Sequence, residues 1–199
     1  MAGSIAARTT PRRFVPPEPP RTAKAAGTRS RLLDVATALF IERGYSAVSM
    51  RDIAAAARVT KSAVYGHFRS KGQLLVEVIR WKIAEGDFAP GFSEDTADPA
   101  RGVVLLYDER RSEIRLLEVD AAAAARHDAD VAAGLADLYR ERDARIGDAM
   151  ANMVDPETAA WFVGVLAGGI GMKEAAGLAR PDGSRLRAAL LGIMKGLSR

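Results

Sequence analysis

The stretch "SMRDIAAAARVTKSAVYGHFRSKGQLL", residues 49–75, decides how the rest of the chain is read. Ser49 stands three residues before Asp52, the spacing of a capping box, and Ile53, Ala54 and Ala57 give the helix that follows one apolar side. "RVT" interrupts that pattern, and Thr60 is placed to cap a second short helix from Lys61 to about Phe68. Ser70 and Gln73 repeat the capping-box spacing. They precede a long helix, Lys71 to about Glu85, with Leu74, Leu75, Val78 and Ile79 inward. Upstream, Leu32, Leu33, Ala36, Leu39 and Phe40 line one face of another long helix. It stops at Arg43-Gly44, where the glycine suits a left-handed cap. Two short helices across a tight turn form a helix-turn-helix, whose second helix enters the DNA major groove while the first braces it on the backbone. The crowding of Thr60, Lys61, Ser62, Tyr65, His67 and Lys71 then has a reason: they lie on or beside the face that DNA would meet.

The rest of the chain also reads as helix. "ARGVVLLYDERRSEIRLLEVDAAAAARH" (100–127) contains no turn dipeptide, and a break near Asp128 separates it from "ADVAAGLADLYRERDARIGDAMANM" (129–153). Asp155-Pro156 opens a further helix, since proline suits the first helical position. "ARPDGS" (179–184) ends it and starts the last one, striped by Leu186, Leu190, Ile193 and Leu197. No alternating strand pattern is present, so the expected fold is all-α. Residues 1–27, with "PPEPPR" and scattered cations, read as a disordered basic arm.

Composition narrows the function. Cysteine is absent, which removes disulfides, thiolate ligands and a thiol nucleophile. The two histidines, His67 and His127, are far apart, so no metal site is expected; His127, beside Asp128 and Asp130, reads as part of a helix end. Glu118 and Asp120 stand two apart on one helix and do not share a face, and no nucleophile elbow or phosphate loop appears. The chain is not expected to be an enzyme, and no cofactor is implied. The N-terminus lacks the apolar core of a signal peptide, and the apolar run 159–172 is short for a bilayer. A soluble, cytoplasmic protein without membrane contact is the expectation. Net charge is +4, but residues 1–80 carry 14 Lys/Arg against 5 Asp/Glu while residues 81–199 carry 15 against 20. One end is suited to a polyanion and the other is not.

The order and spacing of "ALFIERGYSAVSMRDIAAAA" and "VTKSAVYGHFRSKGQLL", within residues 28–79, resemble the TetR family of bacterial transcriptional regulators. The resemblance implies an N-terminal three-helix DNA-binding domain, here 28–72, and a helical ligand-binding and dimerisation domain, here 73–199. It places Ser49 and Arg51 at the start of the supporting helix and Thr60, Lys61, Ser62 and Ala63 on the base-facing part of the recognition helix. It makes Tyr65, His67 and Lys71 phosphate contacts or their supports. Lys61 is the expected base reader, because lysine pairs with guanine acceptors. Two positions depart from the family pattern: Arg58 stands where the turn usually has glycine, and Gly66 where an aromatic residue is frequent.

The resemblance further implies a homodimer on a palindromic double-stranded operator, released from it as a repressor by a small-molecule effector. Leu116, Tyr139, Trp161, Phe162 and Met172 are the candidate pocket lining. Residues 159–172 are apolar round most of the helix, with Gly164 and Gly168 permitting close approach. The dimer is therefore expected through the helices near 156–177 and 182–198. The competing reading is an architectural DNA-binding protein without an effector, which would bind with little sequence preference.

Overall fold

The computed structural model describes residues 27–85, 108, 111–150, 155–179, 182, 184, 185, 188, 189 and 192. Among the described residues the helices with defined bounds are, in order, α1 (Thr28–Arg43), α2 (Met50–Ala56), α3 (Lys61–His67), α4 (Lys71–Glu85), α5 (Ser112–Ala124), α6 (Ala129–Met150) and α7 (Pro156–Ala175). No strand occurs among the described residues, and the fold is all-α as expected. The basic arm, apart from residue 27, and the stripe Leu186, Leu190, Ile193 and Leu197 lie outside the described residues.

The helix ends are set by local chemistry. Gly44 closes α1 at φ 78°, its N–H donating to the Phe40 carbonyl at 2.8 Å. Ser49 and Asp52 form the complete capping box of α2, and the Thr60 hydroxyl accepts from the Ala63 N–H at 3.1 Å to start α3. At α4 the box is shifted. Ser70 Oγ accepts from the Gln73 N–H at 3.0 Å, but the Gln73 side chain reaches the Arg69 N–H at 2.8 Å, one residue earlier than its expected partner. The acid beside His127 that starts α6 is Asp128, whose Oδ1 accepts from the N–H groups of Asp130 and Val131.

The turn from α2 to α3 depends on a residue in the left-handed region. Val59 N–H reaches the Ala54 carbonyl at 3.0 Å and Arg58 N–H the Ala55 carbonyl at 3.1 Å, the bond pair of a Schellman motif. That motif needs a positive φ at its pivot, and Arg58 adopts 54°. No other non-glycine residue among those described has a positive φ.

One apolar cluster joins α1–α4 to α5 and the first half of α6. Leu32, Leu39, Phe40, Ile53, Val64 and Phe68 pack beneath α2 and α3, and the same cluster continues through Leu74, Val78 and Ile79 to Ile114, Leu117, Val131 and Leu135. Helices α4 and α6 cross at two glycines, one from each. A Cβ on Gly72 would lie 2.7 Å from an Asp128 carboxylate oxygen and 2.9 Å from Val131, and one on Gly134 would lie 2.8 Å from Val76.

Polar contacts pin the α1–α2 turn onto this body. Tyr45 donates its backbone N–H to Asp120 at 2.7 Å and its hydroxyl to Asp128 at 2.9 Å. Burial, then the Asp128 carboxylate, pushes the Tyr45 phenol well above its usual range. Asp130 accepts from Ser70 at 2.6 Å and from Arg69 at 3.1 Å, and the Ser70 bond in particular holds its carboxyl below the ordinary value. Further along α4, Arg80 grips Glu141 with two bonds of 2.5 and 2.9 Å.

Candidate functional site

Helix α3 is held from below by Val64 and Phe68, both at zero exposure, so its remaining positions are turned outward. Lys61, Ser62, Tyr65, Gly66 and His67 are exposed and Ala63 is partly so. Lys61 Nζ sits 5.6 Å from the Tyr65 ring centroid, and the His67 ring lies 6.3 Å from that of Phe68. A Cβ at Gly66 would meet nothing within 4 Å, so the helix surface there is low and open. Arg51 and Arg58 flank α3, both exposed. Neither they nor Lys61 make an ion pair among the described residues. Three uncommitted cations beside a polar helix face suit a polyanion.

The nine positions singled out in the sequence fall into two groups. Arg51, Lys61, Ser62, Tyr65 and His67 are exposed and Ala63 partly so, and none of their side chains makes a hydrogen bond or ion pair with another described residue. Ser49, Thr60 and Lys71 have their polar groups engaged inside the chain. The Ser49 hydroxyl accepts from the Asp52 N–H at 3.2 Å and donates to the Asp52 carboxylate at 2.6 Å. The Lys71 ammonium donates to the carbonyls of Tyr45 and Val48, both at 2.9 Å, and lies 4.1 Å from the Tyr45 ring centroid. Desolvation lowers its pKa. Lys71 thus ties the α1–α2 turn to α4, and one of its three N–H donors remains for another partner.

A second site lies between α5, α6 and α7, a cavity of about 580 Å³. Of the five candidate pocket residues, Tyr139, Trp161 and Met172 line it; Leu116 and Phe162 do not. The reason is helical phase. The lining positions are 115, 118, 119, 122 and 123 on α5 and 161, 164, 165, 167, 168 and 172 on α7. At about 100° per residue, Phe162 falls about 60° outside the lining arc of α7, and Leu116 falls about 20° past position 123, just beyond the edge of the α5 arc. Phe162 instead belongs to an outer face with Leu166, Gly169 and Lys173, none of them buried. The opposite face of α7, Ala160, Val163, Ala167 and Gly171, is the buried one. Gly164 makes its close approach within the chain, where a Cβ would stand 2.8 Å from an Arg142 nitrogen.

The cavity also holds charged residues that the sequence did not place there. Arg115, 2% exposed, donates from Nε and Nη2 to the two Glu174 oxygens at 2.7 Å each and from Nη1 to the Asp108 carbonyl at 3.0 Å. Arg142 bonds Asp143 at 2.9 Å and stacks 4.4 Å from the Tyr139 ring centroid. Burial pushes the Tyr139 phenol up to about 12. Glu118 also lines the cavity, and desolvation raises its pKa against the pull of Arg142, Arg111 and Arg115. The signal for it was a lone acid in an otherwise apolar run, "RLLEV". Among the described residues no group of three or more metal-ligating side chains converges. None of their helices is long and apolar enough to cross a membrane.

Residues 32–78 match the model of the bacterial regulatory proteins, tetR family. The HTH-type transcriptional repressor KstR2 of Rhodococcus jostii (strain RHA1) is 42% identical over 67 residues, 34% of this chain and 33% of that protein. The chain therefore matches about a third of the length of this curated relative. A solved transcriptional regulator from Rhodococcus sp. Rha1 superposes at TM-score 0.67 with 20% identity, covering 85% of this chain and 95% of the other. The multidrug binding protein EbrR, solved in complex with imidazole, superposes at 0.62 with 23% identity over 86% and 94% of the two chains. These two likenesses show the shared fold. In sequence, residues 32–78 are thus similar to the N-terminal domain of the tetR family of bacterial regulatory proteins.

Proposed function

We propose that the protein is a DNA-binding transcriptional regulator that reads a palindromic operator as a homodimer and leaves it when a small molecule fills the cavity between α5, α6 and α7. The observation that carries this reading is the outward face of α3. It presents Lys61, Ser62, Tyr65 and His67 on a helix capped by Thr60 and anchored by Val64 and Phe68, with Arg51 and Arg58 beside it. Lys61 takes the base edge, while Tyr65, His67, Arg51 and Arg58 take the sugar–phosphate backbone. Ser49 and Thr60 set helix position through their caps. Lys71 secures the turn beneath, with its remaining donor toward phosphate. Residues 28–72 act as the reading head and 73–199 as the sensing and pairing body.

Repression is favoured by the likeness of the head to that of a named repressor. The outer face of α7, with Phe162 exposed beside Leu166 and Gly169, supplies the pairing surface together with the helix expected near 182–198. Release requires the effector to prefer one separation of the two heads, since equal affinity for both would shift nothing.

Selection of bound sequences from a random duplex pool tests the reading, with Lys61→Ala run in parallel. The expected product is a palindrome whose preference relaxes at one position per half-site in the variant. Binding that enriches no sequence and simply fades with salt would refute it in favour of an architectural protein.

A further inference from the structure

The cavity wall is largely apolar: Val119, Tyr139, Trp161, Val165 and Met172 surround a few charged groups. Two of those groups are already satisfied. The Arg115 guanidinium is held by Glu174 and the Asp108 carbonyl, and that of Arg142 by Asp143 and the Tyr139 ring. Glu118 differs. Its carboxylate accepts no hydrogen bond from any described residue, and the charges of Arg142, Arg111 and Arg115 reach it only through space. Glu118 is half-buried at the cavity wall, and a carboxylate partly withdrawn from water without a hydrogen-bond donor carries a cost that a partner supplying both a donor and a positive charge relieves.

Resting on the reading of this cavity as the effector site, we propose that its ligand is a hydrophobic amine, bound in the protonated form. Its ammonium donates to Glu118, and its apolar body lies against Trp161, Val165 and Met172. Trp161 and Met172 are 69% and 67% exposed, so a large apolar area is available for that body to cover. An acid of the same shape is disfavoured. It would place a second negative charge beside Glu118, in a site where Arg115 and Arg142 are already engaged by Glu174 and Asp143. A neutral alcohol provides the donor without the charge and falls between the two.

The test uses the full chain carrying Trp81→Phe, which leaves Trp161 as its only tryptophan. Three probes share one aryl-alkyl body: 4-phenylbutylamine, 4-phenylbutanol and 4-phenylbutanoate. Trp161 emission is titrated with each at neutral pH. The amine is expected to bind at least about tenfold more tightly than the alcohol, the advantage of a charge-assisted bond over a neutral one. Glu118→Gln should abolish that advantage while the alcohol still binds, its hydroxyl donating to the carboxamide oxygen, which also shows that the variant is folded. Tighter binding of the butanoate, or an amine advantage that survives Glu118→Gln, overturns the proposal but leaves the cavity a ligand site. If no probe moves the emission, or if the emission changes with protein dilution because a second copy covers Trp161, the proposal and the effector role of the cavity both fail. Recovery of a palindrome by the DNA selection does not depend on any of these results, so the regulator reading is judged separately.

Discussion

Replacing Glu174 by leucine removes both carboxylate oxygens that hold the Arg115 guanidinium, each at 2.7 Å, in a pair whose side chains are 2% and 8% exposed. Breaking a buried pair from one side typically costs ~3–5 kcal/mol, because the remaining charge stays in a medium that solvates it poorly. A domain of this kind has ~5–15 kcal/mol in total, so Glu174→Leu should consume a large share of it. The bond from Arg115 to the Asp108 carbonyl offsets only part of the loss. The double variant Arg115→Met/Glu174→Leu replaces both charges by apolar groups of similar volume and should lie within ~2 kcal/mol of the parent. Urea unfolding followed by helical circular dichroism gives each value, provided the slopes agree among the variants. The reasoning is refuted if the single variant loses less than ~1 kcal/mol, or if the double variant is no more stable than Glu174→Leu.

Three further outcomes follow from other parts of the molecule. Arg58→Gly should raise stability by ~1 kcal/mol by relieving a positive φ. It should also weaken DNA binding and make its salt dependence shallower by about one charge, and opposite signs in the two assays are the signature. Gly72→Ala should destabilise by ~1–3 kcal/mol, because its methyl group meets the Asp128 carboxylate and Val131 at under 3 Å; an unchanged melting temperature would contradict the crossing described. Glu118→Gln should stabilise the ligand-free protein at neutral and alkaline pH. The carboxyl has a raised folded-state pKa, so its ionised form opposes folding above that value. The gain should shrink as pH falls through the raised pKa and vanish below the ordinary carboxylate range, whereas a pH-independent gain would mean that charge is not its origin.

What the sequence made legible was whatever depends on near neighbours. The caps at Ser49 and Thr60 act over three residues, and both stand where the spacing predicts. The departure at Arg58 was visible against the family pattern, which usually has glycine in that turn, and the backbone there adopts the positive φ that glycine would suit. The core face of α4 could be read from its period, and Leu74, Leu75, Val78 and Ile79 are all at zero exposure. Contacts that close over long separations were not legible. The carbonyls that engage Lys71 come from residues 26 and 23 positions earlier, and Tyr45 finds Asp120 and Asp128 at separations of 75 and 83. Nothing local marks such pairs. The cavity was legible in composition and missed in phase: apolar size picked out Leu116 and Phe162, but only the packed orientation of α5 and α7 tells which side of each helix faces the gap.

Helix α7 carries three apolar faces, one packed against its own chain, one lining the cavity and one turned outward. On the proposed function, a genetic screen for variants that no longer respond to an inducing compound should therefore find hits all round this helix rather than along one stripe. They would sort by phase. Changes at 160, 163 and 167 would lower the amount of protein in the cell, and those at 161, 165 and 172 would alter which compounds induce. Changes at 162, 166 and 169 would give subunits that accumulate normally yet fail to occupy the operator. The angular position of a mutation round one helix would report its phenotype before any variant was purified.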